Sequence, residues 1–213
     1  MILLTGYRIH FIRHALTEAN EEGRYIGITD SPVSKKGKLE LAEKKQNYIY
    51  PEVDKVYVSP LKRCIATAAF IYPEGYARVV PEIREMNFGD FEGKLLVDIK
   101  DTPEYKQFIK GGLDNPAPNG ESLRKVIERC YEGISFIIED MMKNGYHSAA
   151  VVTHGGIIMN MLSCFGMPKY NPNEFACDFG EGFTVLATAQ FWQSSGCFEI
   201  LGMCPYEKED DEA

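Results

Sequence analysis

An imidazole beside a guanidinium, where an apolar run gives way to polar sequence, is a combination suited to a phosphate group, and Arg13-His14 is placed in that way. Tyr7 to Ile12 precedes the pair, carries Ile9, Phe11 and Ile12 without Gly or Pro, and so reads as a strand. Far downstream, Ala149 to Thr153 repeats the pattern and ends at His154-Gly155-Gly156. In open α/β sheets ligands gather outside the carboxyl ends of strands, so histidines at two such ends can face one pocket. Transfer of a phosphoryl group spreads negative charge over its oxygens, and arginines answer it with planar, bidentate donors. A neutral imidazole can attack phosphorus through one ring nitrogen while the other donates to a backbone carbonyl. Backbone amides at Gly155-Gly156, opening a helix, can add donors to the same anion.

These residues need a sheet to hold them. Strand-like runs at Arg8 to Ile12, Lys55 to Ser59, Ala77 to Pro81 and Ala149 to Thr153 alternate with helical ones, which predicts a mostly parallel sheet covered on both faces. A helix from Ser34 to about Tyr48 is predicted, capped by Ser34, with Leu39, Leu41 and Ala42 as its apolar stripe. Pro60 is placed to open the next helix, where Leu61, Ile65, Ala68 and Ala69 fall at helical spacing and Arg63 lies in the first turn. The clearest helix follows Ser122, with Leu123, Val126, Ile127, Tyr131, Ile134, Ile138 and Met141 on one face and an end near Asn144-Gly145. Another follows Gly156 and should stop before Pro168. Thr184 to Trp192, then Ser194-Ser195-Gly196, then Cys197 to Met203 read as a hairpin that gives the sheet an antiparallel C-terminal edge. From Lys94 to Gly120 prolines and glycines leave room for one short helix, at Glu104 to Ile109, in a segment that is either a lid or a connecting loop.

At 213 residues the chain suits one α/β domain, taken as residues 1–206, with an acidic tail over 207–213 that is expected to be disordered. The formal charge of -8 argues against nucleic acid or an anionic membrane as partner, while leaving room for a small basic pocket. No apolar run reaches the length of a membrane span and the start does not read as a signal peptide, so a cytoplasmic location is expected. Six cysteines without a Cys-x-x-Cys pair are expected to be reduced thiols, with no metal site.

The run Phe11 to Asn20 resembles the signature of the histidine phosphatase superfamily, the phosphoglycerate mutase-like family, written Arg-His-Gly-x-Thr-x-x-Asn. Arg13, His14, Thr17 and Asn20 match, and Ala15 stands where Gly is usual. An extended backbone would tolerate that methyl group, and a left-handed one would not. Further similarity lies at Gly27 to Gly37, at Val58 to Ala68 around Arg63, at Arg84 to Gly93 around Glu85, and at Val151 to Gly156, in family order. The resemblance implies a three-layer α/β/α sandwich. It implies His14 as the nucleophile, Arg13 and Arg63 as phosphate clamps, His154 as a charge stabiliser, and Glu85 as general acid. Asn20 and Gly155 are expected to contact phosphate or substrate, Thr17 to support the loop, Asp30 and Glu92 to fix turns, and His10 and His147 to be structural. No cofactor is expected. The implied partner is a small phosphorylated substrate or inorganic phosphate, and a homo-oligomer is compatible with the sequence.

The family contains phosphatases, which pass the phosphoryl group to water, and cofactor-dependent mutases, which return it to a phosphoglycerate. Longer mutases carry a larger, more basic insertion after the Glu-Gly block. Here Lys94 to Gly120 is short and has no arginine, and Pro118-Asn119-Gly120-Glu121-Ser122 is similar to the Pro-x-Gly-Glu-Ser step of the shorter phosphatase branch. A phosphomonoesterase is therefore the favoured expectation. A mutase-type transfer and a catalytically inactive phosphate-binding module are the alternatives. Phe88, Phe91, Tyr105 and Phe108 are expected either to wall a leaving group or to pack together.

Overall fold

The computed structural model describes residues 6–208. In chain order the elements are β1 (Gly6–Arg13), α1 (Glu18–Glu21), α2 (Lys35–Asn47), β2 (Tyr48–Ile49), β3 (Lys55–Val58), α3 (Lys62–Ile71), β4 (Ala77–Val79), α4 (Leu96–Ile99), α5 (Pro103–Ile109), α6 (Leu123–Asn144), β5 (Ser148–Thr153), α7 (Gly155–Phe165), β6 (Gly166–Met167), β7 (Gly182–Thr188), α8 (Ala189–Ser195), β8 (Phe198–Cys204) and β9 (Tyr206–Glu207). Seven strands form the central sheet in the order β4-β3-β5-β1-β7-β8-β6, and β2 pairs with β9 apart from it.

The central strands are buried on both faces, which is why β1 and β5 read as nearly continuous apolar runs. Successive residues point to opposite faces and sort the core into two layers. Ile9, Phe11, Ala149 and Val151 pack with Val126, Ile134, Ile138 and Met141 of α6 and with Ile157, Ile158 and Leu162 of α7. Ile12, Ala150, Val152, Val56 and Val58 pack on the other side with Leu41 of α2 and with Cys64, Ala68 and Ile71 of α3. The result is the expected helix, sheet, helix sandwich. Ser122 caps α6 by accepting the Lys125 amide, and Gly145 ends it in a left-handed conformation with φ 70°.

Several local expectations are corrected. Helix α3 is capped at Leu61, one residue after Pro60, and its inner face is Arg63, Cys64, Thr67, Ala68 and Ile71, with Ile65 and Ala69 facing out. The helix turns two polar side chains inward because both are used at the site described below. Leu39 of α2 is exposed, leaving Leu41 as the anchor. The stretch expected to continue one strand to Trp192 breaks at Thr188, whose hydroxyl accepts the Phe191 amide and starts α8, and Gly196 closes that helix with φ 62°. This folds Trp192 back to stack on Phe198 with ring centres 6.0 Å apart. Strands β7 and β8 are antiparallel as expected, but they are not the edge. Strand β7 lies inside the sheet between β1 and β8, and the outermost strand β6 runs parallel to β8. Glu207, expected to begin the tail, pairs with Tyr48, and residues 209–213 of that tail lie outside the described residues.

Candidate active site

Strands β1 and β5 run side by side in parallel with Arg13 opposite Thr153, so the residues that follow them, His14 and His154, leave the sheet together. Their rings meet edge to face with centres 5.2 Å apart. His14 Nδ1 lies 2.8 Å from the carbonyl oxygen of Ala15. That contact requires the proton on Nδ1 and leaves the lone pair on Nε2. Burial and then the positive charge of Arg63, with a smaller effect of Arg13, hold the His14 pKa down to about 3. The ring is therefore neutral and nucleophilic at neutral pH. His154 is fully buried, its Nε2 lies 2.8 Å from the Ser59 hydroxyl, and burial together with the neighbouring His14 keeps its pKa well below the ordinary value.

Arg13 and Arg63 flank this pair by different routes. Arg13 donates through Nη1 to the Cys177 carbonyl at 2.7 Å, and its guanidinium carbon sits 3.8 Å from the centre of the Phe179 ring. Arg63 is 1% exposed and donates to the carbonyls of Thr29 at 2.8 Å and Gly27 at 2.6 Å. The Nε–H of each arginine is buried and has no partner among the described residues. Buried donors without acceptors are costly, and an anion at this centre would give both an acceptor.

Glu85 is buried, accepts the Met86 amide through Oε1 at 2.9 Å, and has its pKa raised by burial against the opposing pull of that amide and of Arg63, Arg129 and Arg13. The two glycines opening α7 make room for the neighbours. A side-chain carbon on Gly155 would come within 3.1 Å of Arg13 Nε, and one on Gly156 within 3.0 Å of Glu85 Oε1. The proposed contact of Gly155 with phosphate therefore comes with a second reason for glycine, which is close approach.

Asn20 stands partly apart. Its Oδ1 receives the Thr17 hydroxyl at 2.7 Å and the Thr17 amide at 3.3 Å, closing a capping box at α1, and this same box gives Thr17 its supporting role. Ala15 has a negative φ, since Asn119 is the single non-glycine residue with positive φ among the described residues. Its methyl group packs in the core, and its amide donates to Thr67 Oγ1 at 2.9 Å. Glu92 accepts the amides of Gly27, Ile28, Thr29 and Phe88, and Asp30 accepts that of Lys62, so both carboxylates fix turns. His10 lies at a distance from the site, hydrogen-bonded to Thr184 at 2.9 Å, and His147 is exposed at the other end of β5. Phe91 and Tyr105 are buried with Phe88, Phe108 and Tyr25 in a small aromatic core, edges to faces, so packing is their role. All six cysteines are free.

Four contributors escape the sequence reading. Ser59, Cys177, Phe179 and Arg129 each touch a predicted site residue. Ser59 sits next to Pro60 inside a resembling block, and that adjacency to a strand end was the available signal. Nothing in the local sequence around the other three marks them.

A family model described as histidine phosphatase superfamily (branch 1) matches residues 9–192. A putative phosphoserine phosphatase 2 of Hydrogenobacter thermophilus is 31% identical over 153 residues, covering 71% of this chain and 74% of that protein. A probable phosphoglycerate mutase of Cronobacter sakazakii is 27% identical over 168 residues, 76% of this chain and 77% of that one. Among solved structures, a putative alpha-ribazole-5'-P phosphatase of Escherichia coli has the same fold, with TM-score 0.77 and 23% identity over 92% of this chain and 95% of that one.

Proposed function

Because the chain belongs to the histidine phosphatase superfamily, we propose that it is a phosphomonoesterase that passes the phosphoryl group of a small phosphorylated metabolite through His14 to water. The observation that carries this reading is the neutral His14 ring, aimed by its Nδ1 contact to Ala15, beside two buried arginines whose Nε–H groups lack partners. In the first step His14 Nε2 attacks phosphorus and the bond from phosphorus to the ester oxygen breaks. Arg13, Arg63 and His154 stabilise the charge on the equatorial oxygens. Glu85, whose hold on its proton burial strengthens, gives that proton to the departing alkoxide, so the alcohol leaves neutral. In the second step the Glu85 carboxylate takes a proton from water as that water attacks the phosphohistidine, which returns His14 and releases inorganic phosphate.

One further observation supports hydrolysis over mutase-type transfer. The segment from Lys94 to Gly120 is short, holds no arginine, and is occupied by α4, α5 and their aromatic packing. The groups assigned to charge stabilisation are side chains of this chain, Arg13, Arg63 and His154, and serve either reaction. The similarity to a mutase-named relative keeps transfer to a phosphoglycerate as the competing reading.

The test is hydrolysis of an aryl phosphate in excess chelator, coupled to mass spectrometry of the protein quenched without acid. Turnover with a phosphate on His14, abolished in His14→Ala, supports the reading. Phosphate binding without turnover points to an inactive module, label retained in His14→Ala assigns another nucleophile, and loss of all activity with chelator sinks the metal-free mechanism. A phosphoryl group that returns to added phosphoglycerate in preference to water identifies a mutase.

A further inference from the structure

Arg129 lies behind Glu85, and each of its donors is spent on the protein. It sits on the inner face of α6, 8% exposed. Its Nε and Nη2 hold the two oxygens of Glu121 at 2.8 and 2.9 Å, the bidentate geometry that suits a guanidinium. Nη1 donates to the carbonyls of Glu82 at 2.5 Å and Arg84 at 2.7 Å, and Nη2 donates also to that of Glu85 at 3.1 Å. A guanidinium has five N–H groups, and these acceptors account for all of them.

The three carbonyls belong to the segment that carries Glu85. A 3-10 turn ends there at Ile83, and no strand partner takes over before the next turn begins at Gly89. Regular hydrogen bonding therefore does not fix this backbone. Glu121 completes the hold from the other side: its Oε2 accepts the Asn87 amide at 3.4 Å, and its own amide donates to the Asn87 carbonyl at 2.9 Å. The Glu85 main chain is thus gripped on both flanks, and its carboxyl rests where Gly156 leaves space.

We propose that Arg129, locked by Glu121, is the positioning residue for the general acid Glu85. The proposal rests on the assignment of Glu85 as the acid, and it goes beyond it in naming what aims the proton. Lysine at this position keeps the charge but loses the fork, because one ammonium cannot span a carboxylate and three carbonyls.

The experiment compares kcat/KM, which reports the first transfer, for p-nitrophenyl phosphate and for an alkyl phosphate. A nitrophenolate leaves without a proton, whereas an alkoxide needs one. General acid catalysis is worth about 10²–10⁴-fold, so Glu85→Gln should lose roughly that factor on the alkyl ester and far less on the aryl ester. Arg129→Lys and Glu121→Gln should show the same selective pattern, about 10- to 100-fold on the alkyl ester and within about 3-fold on the aryl ester. Thermal unfolding of both variants is followed in parallel. Equal losses on both esters in a folded Arg129→Lys protein overturn the positioning role, as does failure of both variants to fold, which would make the pair a folding element only. If Glu85→Gln itself shows no preference for the aryl ester, the assignment of the acid fails first, and the two failures are told apart by that control.

Discussion

Gly156 approaches Glu85 so closely that a single methyl group would stand 3.0 Å from its carboxylate oxygen, and Gly155 stands in the same relation to Arg13 Nε at 3.1 Å. Both glycines lie in the first turn of α7, where alanine is the better helix former. Gly156→Ala is therefore expected to hold or raise stability by up to about 1 kcal/mol. It should lower kcat/KM about 10-fold by displacing the carboxyl a few tenths of an ångström. Gly155→Ala should act on KM through Arg13. Thermal unfolding and steady-state kinetics check both, and a parallel loss of stability and activity would contradict the close-approach argument.

Acid should unfold the protein earlier than its carboxylates alone require. The pKa values of His14 and His10 are pushed down to about 3 and about 4, and that of His154 lies well below 6.5. The unfolded chain binds those protons near pH 6.5 and the folded chain does not. Stability is thus complete above pH 6.5 and falls between about pH 6.5 and 4, by about 1.4 kcal/mol per pH unit for each histidine. Glu85 runs the other way, since its raised folded pKa favours the folded state at low pH, and it offsets part of one histidine. Urea unfolding from pH 7 to pH 4.5 measures the slope. Saturating inorganic phosphate should flatten it if the anion draws protons onto this centre.

The Phe179 ring shields Arg13 from water at 3.8 Å. A cation on an aromatic face is worth about 0.5–2 kcal/mol, which corresponds to roughly 2- to 30-fold in phosphate affinity. Phe179→Leu should raise KM within that range and leave kcat nearly unchanged, while Phe179→Tyr should preserve both. Titration with inorganic phosphate reads the same effect without turnover.

Cys64 follows Arg63 directly and its sulfur lies 3.5 Å from His154 Nε2, an arrangement that invites the idea of an activated thiol. Its burial points the other way, raising the thiol pKa despite the opposing charge of Arg63. Iodoacetamide should leave Cys64 unlabelled in the native protein and label it in urea, with mass spectrometry as the readout. Activity should survive mild peroxide.

Position is legible in the sequence where chemistry and local rules coincide. His14 and His154 stand at strand ends because each follows a strand-forming run free of Gly and Pro, and that run is visible in one dimension. Arg63 was legible from its resembling block, yet the face of α3 was not, because Ile65 follows the apolar period while the interior demands Arg63 and Thr67. Ala189 to Ser195 carries residues that suit strand or helix, and the choice falls to the Thr188 cap and to the space Trp192 finds against Phe198. Arg129 lay beyond reach: among the charges of α6 it looks like any solvated residue, and only the crossing of α6 over the Glu85 segment gives it meaning.

The place of β7 inside the sheet bears on which parts of the chain the nucleophile depends on. Strand β1, which delivers His14, has as its two neighbours β5 and β7, both from far later in the sequence. Arg13 is tied to that late sequence as well, giving its amide to the Glu181 carbonyl and its carbonyl to the Gly180 amide. The setting of His14 is therefore complete only when both of these later strands have paired with β1. Truncation before Gly182 would leave one edge of β1 without its partner strand, so the frame around His14 is a property of the two halves of the chain together.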